Sequence, residues 1–95
     1  MSNIYIRREG NPDCAKVDRW LGEIRSILRD QAAAVDSFAI IDEAARPDEA
    51  AAHPHGDLPA FFVQGALVHE GPISKRGLLG LLQDETRRMQ NEHDH

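Results

Sequence analysis

The stretch Asn11-Pro12-Asp13-Cys14-Ala15-Lys16 carries the start of a helix in its side chains. Asn11 offers a side-chain oxygen to the first unpaired backbone N–H groups, as an N-cap residue does. Pro12 falls at the first helical position, where its missing N–H costs nothing and its fixed φ suits the helix. Asp13 adds a negative charge to the first turn, favourable to the helix dipole. Beyond it, Cys14, Val17, Leu21, Ile24 and Leu28 recur at spacings of three and four, with Trp20 and Ile27 beside them. This single apolar stripe predicts a helix over 12–33.

Working outward, Ile4-Tyr5-Ile6 is β-branched and aromatic and alternates with polar neighbours, which predicts a strand over 3–8. On the other side, 35–41 contains Phe38-Ala39-Ile40-Ile41, a short apolar run ending in acids, read as a buried strand. Residues 47–52 have room for a short helix, and His53-Pro54-His55-Gly56-Asp57 is loop chemistry. Two further strands, 60–63 and 66–69, meet across Gln64-Gly65, a tight hairpin turn in which glycine accepts positive φ. Ser74 then caps a last helix whose buried side is marked by Leu78, Leu79, Leu81 and Leu82. The expected order is β-α-β-α-β-β-α. A crossover makes the first strands parallel and the hairpin makes the last ones antiparallel, so the expected class is α/β with a mixed four-stranded sheet.

Composition limits the functions open to such a domain. With 95 residues the chain makes one small domain, 1–95, with a polar segment at 90–95 expected to fray. A formal net charge of -5, with arginines scattered among acids, gives no general attraction to nucleic acid or anionic membranes. No apolar run approaches the ~20 residues needed to span a bilayer, and the first residues form no signal-peptide core. A single cysteine excludes an intramolecular disulfide and fits a reducing cytoplasm.

Three stretches resemble the thioredoxin/glutaredoxin-like family, and the likeness in element order covers nearly the whole chain. Asn11-Pro12-Asp13-Cys14-Ala15-Lys16, followed by Trp20-Leu21, looks like a glutaredoxin active-site helix with its first cysteine changed to asparagine. Leu58-Pro59-Ala60-Phe61-Phe62-Val63 looks like the family's cis-proline strand, and 65–71 with Ser74 resembles its hairpin and closing helix. The resemblance implies a thioredoxin-like fold and a redox-related function. It also implies a cis bond before Pro59, with the Leu58 backbone facing the Cys14 turn and able to pair with an extended peptide.

The site is degenerate in its chemistry. A thiolate must attack a disulfide sulfur, and in the family the exposed first cysteine does so while the second resolves the mixed disulfide. Asn11 cannot attack, and Cys14 aligns with the inner, resolving position. On the apolar stripe Cys14 reads as a small buried hydrophobe; in the first helical turn it also reads as a lone reactive thiol. Asn-Pro-x-Cys further resembles the catalytic turn of glutaredoxin-like arsenate reductases. Here, however, Val17 stands where that family has Ser or Thr, and the lead-in from Tyr5 is longer.

The resulting expectation is a domain without the dithiol pair that binds a protein, peptide or thiol ligand. Its site comprises Arg8, Asn11, Pro12, Asp13, Leu58 and Pro59, with Cys14 as the candidate catalytic residue. Two alternatives accompany it: a single-cysteine oxidoreductase using Cys14, and a Cys/His metal-binding protein. Arg8 stands where glutaredoxins often place a basic residue for a glutathione carboxylate, but the Gly-Gly-Cys-Asp turn has no match, since Gly71-Pro72-Ile73-Ser74 occupies that region. The metal reading uses Cys14, His53 and His55 as an N/N/S set. His69, His93 and His95 read as exposed strand or tail residues. Asp42-Glu43 and Asp48-Glu49 read as solubilising acids, and Arg87-Arg88 as a helix-terminal charge pair.

Overall fold

The computed structural model describes residues 3–93. Its strands are β1 (Asn3–Arg7), β2 (Phe38–Asp42), β3 (Ala60–Val63) and β4 (Ala66–Glu70), and its helices α1 (Pro12–Ile27), α2 (Ala32–Asp36), α3 (Pro47–Ala51) and α4 (Lys75–His93). The strands form one mixed sheet of order β2-β1-β3-β4. β1 runs parallel to β2, with Tyr5 opposite Ile40, and antiparallel to β3, with Ile6 opposite Ala60. β3 and β4 form the expected hairpin, and both of its turn residues have positive φ, 53° at Gln64 and 83° at Gly65. That is the turn whose twist matches the flanking strands.

The alternation of β1 divides the interior into two cores. Tyr5 faces the larger one, with Phe38 and Phe61 from the neighbouring strands, under Val17 and Leu21 of α1 and Leu78 and Leu82 of α4. The Tyr5 and Phe61 rings stack at 4.9 Å, and Phe38 meets Phe61 edge-on at 5.9 Å. Both arrangements suit the aromatic quadrupole. Ile4 and Ile6 face the other way and join Ile41, Ala60 and Phe62 under Ala50 of the short α3. Ser74 accepts the Gly77 N–H at 2.9 Å and starts α4 as expected.

Three boundaries differ from the sequence reading. The helix predicted over 12–33 ends at Ile27, because Leu28 leaves helical geometry at φ -103° and ψ 78°. The chain then passes through a single 3-10 turn, Arg29–Gln31, into α2. Periodicity cannot separate one helix from two in sequence. The apolar stripe in fact stops at Ile24, leaving Ile27 74% and Leu28 41% exposed. Arg25 then grips Asp36 with two hydrogen bonds of 2.7 and 2.9 Å, which folds α2 back beside α1.

Second, the strand predicted over 35–41 begins only at Phe38, with Val35 in α2. It is an edge strand rather than a buried one, and Ile40 is 51% exposed. The Arg46 guanidinium covers the Ile40 carbonyl on this strand. Third, α4 continues to His93, through most of the segment expected to fray. His95 lies outside the described residues. Among the described residues no helix is long and apolar enough to cross a membrane.

Candidate functional site

The first turn of α1 is built around Asn11. Gly10, at φ +88°, turns the chain out of β1, and the Asn11 N–H returns to the Arg8 carbonyl at 3.2 Å. Asn11 Oδ1 then accepts the N–H groups of Asp13 at 2.9 Å and Cys14 at 3.1 Å. The residue standing where the resemblance puts a nucleophile therefore caps the helix through its side-chain oxygen. Pro12 beside it is exposed and Asp13 half-buried.

Cys14 has no exposed surface. Burial pushes its thiol above the ordinary range. A hydrogen bond from the Arg8 backbone and the charge of Arg7 oppose this, and Asp18 and Asp13 reinforce it. A reactive cysteine needs access and a stabilised thiolate. Cys14 has neither.

Behind this turn lies a polar network that sequence reasoning missed. The Tyr5 hydroxyl donates to Asp18 Oδ1 at 2.9 Å and lies 3.3 Å from the Cys14 carbonyl. Its pKa is raised, first by burial and then by Asp18. Arg7 donates to Asp18 at 2.9 Å and to Asp42 at 2.6 Å, tying β1 to α1 and to the end of β2. Asp42 also accepts the Ala44 N–H at 2.9 Å. These contacts correct the reading of Asp42 as a solubilising acid. A groove of about 550 Å³ opens beside the network, between α1 and the β2 edge, with Leu21, Gly22, Phe38 and Ile40 among its walls.

The pairing of Ile6 with Ala60 carries the start of β3 to the same end of the sheet as the chain leaving β1. The Leu58-Pro59 segment and the Asn11–Cys14 turn therefore share one end of the molecule. The Leu58–Pro59 peptide bond is cis. Pro59 is fully buried and Leu58 half-buried against the second core. The Pro59 carbonyl accepts the Gly71 N–H at 3.0 Å, so the loop after β4 supports this segment.

Arg8 is exposed and lies 3.4 Å from Glu43. Glu43 in turn meets His55 Nε2 at 3.0 Å, while His55 Nδ1 meets the His53 carbonyl at 2.6 Å. Glu43 is thus a structural partner rather than a solubilising acid. Arg8, Glu43, Pro47, Ala50 and His55 line a cavity of about 460 Å³. The His53 ring packs on Phe62 at 5.5 Å. Cys14, His53 and His55 do not converge, and no group of three or more His, Cys, Asp or Glu able to hold a metal occurs among the described residues.

His69 is half-buried rather than exposed, with Nε2 3.0 Å from the Gly71 carbonyl. Arg87 pairs with Asp84, and Arg88 holds Glu85 and Glu92, so the two arginines act separately rather than as a terminal charge pair. No protein-family model, curated protein or solved structure matches the chain.

Proposed function

We propose that the chain is a thioredoxin/glutaredoxin-like, redox-related domain that has lost dithiol exchange and binds a protein or thiol ligand at the Asn11–Cys14/Pro59 face. The observation that carries this reading is the state of the two positions where chemistry would reside. Asn11 is spent on capping α1, and Cys14 is buried with its thiolate disfavoured. Turnover has no nucleophile there, while the α1 turn and the Leu58-Pro59 segment lie at the same end of the sheet, which supports a binding role for that face. An extended peptide laid along Leu58 would gain main-chain hydrogen bonds, as in strand addition. Arg8 could meet a carboxylate of a thiol ligand such as glutathione, although Glu43 already neighbours it.

The test is a titration of isotopically labelled protein with a panel of extended peptides and, separately, with reduced glutathione. Binding is expected to shift the backbone signals of 11–14 and 58–60, and Leu58→Asp should weaken it. A footprint elsewhere, or no binding across both ligand classes, overturns the reading. The single-cysteine oxidoreductase draws on the place of Cys14 in a first helical turn. It requires rapid alkylation of the native thiol, which the present reading does not.

A further inference from the structure

His55 is enclosed, its side chain only 8% exposed, and each ring nitrogen faces an oxygen able only to accept. Nδ1 lies 2.6 Å from the His53 carbonyl and Nε2 lies 3.0 Å from the Glu43 carboxylate. A neutral imidazole has one N–H. It would satisfy one of these contacts and set a lone pair against a lone pair at the other. The imidazolium satisfies both.

We propose that His55 is a proton-operated latch. As imidazolium it fastens the loop 53–57 to Glu43 beyond the end of β2; on losing the Nε2 proton, with Nδ1–H kept on the shorter contact to the His53 carbonyl, it turns a lone pair toward Glu43 and releases that loop. The device belongs to the free protein and does not depend on the ligand-binding reading.

The surroundings fit a latch rather than a permanent charge. Burial works against the cation. The His53 carbonyl, the Glu43 hydrogen bond and the charges of Glu43 and Glu70 outweigh it and hold the ring's pKa above the ordinary histidine value. Glu43 is shared with Arg8 from the turn after β1, at 3.4 Å, so the carboxylate keeps one counter-charge when the ring is neutral. Glu70, at the end of β4, accepts the Gly56 N–H at 2.7 Å and approaches the same loop from the other side. From α3, the cavity beside the ring receives Pro47, Ala50 and Ala51, which do not titrate. The nearby Glu49 is paired with Arg46. A single proton at His55 therefore decides whether the loop has one clamp or two.

The experiment is an NMR titration of the unliganded wild-type chain, following the His55 ring and the backbone amides together. The ring midpoint should lie above the ordinary value of about 6.5, and the amides of 53–57 should titrate with the same midpoint while those of α4 stay still. Loss of a charge-assisted hydrogen bond should lower the exchange protection of the Gly56 amide about tenfold across that midpoint, after correction for intrinsic rates. Glu43→Gln should move the ring midpoint down, and His55→Gln should abolish the amide titration. A ring midpoint at or below the ordinary value, or loop amides indifferent to the ring's titration, overturns the latch. Because the wild-type titration is decisive, neither variant need fold for the proposal to fail.

Discussion

Asn11 and Cys14 are joined by a hydrogen bond from the Cys14 amide to the Asn11 side-chain oxygen, 3.1 Å long. Asn11 thus holds in place the backbone of the chain's single cysteine. Removing the oxygen exposes two amide donors of α1 at once. Asn11→Ala should cost about 1 kcal/mol, the usual worth of an N-cap, whereas Asn11→Asp should cost far less. Urea unfolding of the three proteins measures this. An alanine variant as stable as wild type would mean that water caps the helix equally well.

Cys14 should behave as a core atom. Its alkylation in the native protein should be slow and should accelerate with denaturant, since the sulfur has to be uncovered first. Cys14→Ala should cost about 1–2 kcal/mol from lost burial and the small void. The folded thiol holds its proton more tightly than the unfolded one. Its contribution is therefore complete below the ordinary thiol value of about 8.5 and lost as pH rises through the higher folded value. Wild type should lose stability on alkalinisation more steeply than Cys14→Ala. Parallel curves, or fast native alkylation, would show that the sulfur is accessible.

The parts of this molecule that could be read from sequence are those decided locally. Asn11 and Pro12 start α1, Gln64-Gly65 turns the hairpin and Ser74 starts α4, each through contacts within a few residues. The end of α1 was not legible, because Leu28 to Ala33 contains no proline or glycine and each residue is compatible with helix. Nor was the edge position of β2, since an apolar run looks the same at an edge as in the centre. The polar contacts around the candidate site were hidden for a different reason. Arg7 meets Asp18 and Asp42 at sequence separations of 11 and 35, and His55 meets Glu43 at 12. Only the completed fold brings such partners together. Patterning marks none of them as special.

The Tyr5–Asp18 hydrogen bond joins the centre of the sheet to the second turn of α1. Tyr5→Phe should cost about 1 kcal/mol, the net worth of one such bond. Asp18→Ala should cost more, about 1–3 kcal/mol, because Arg7 also loses a partner at 2.9 Å. Arg7 keeps Asp42, which limits the damage. In the double variant the two effects should fall short of their sum by about 1 kcal/mol, the signature of residues in one network. Strict additivity would mean that the hydroxyl and the carboxylate stabilise the fold independently.

Glu85 gives the chain an acid-sensitive anchor. It is 2% exposed, accepts a hydrogen bond from Asn3 of β1 at 3.0 Å and is held by Arg88. Burial alone would raise its pKa, but the hydrogen bonds from Arg88 and Asn3 and the charge of Arg88 bring it below the ordinary value. The unfolded chain therefore takes up this proton before the folded one does as pH falls. The stabilisation is complete above the ordinary glutamate value of about 4.3 and is lost as pH falls through the lower folded value. Glu85→Gln keeps the shape and loses the charge, so it should cost about 1–3 kcal/mol at neutral pH. The gap between variant and wild type should then shrink on acidification. Arg88→Met should be worse than Glu85→Gln, because it leaves a buried carboxylate without its counter-charge. Denaturant unfolding from about pH 6 to about pH 3 measures the gap across the glutamate range. If that gap stays constant, the Glu85 charge contributes nothing to holding β1 against α4, and the anchor is the hydrogen bond to Asn3 alone.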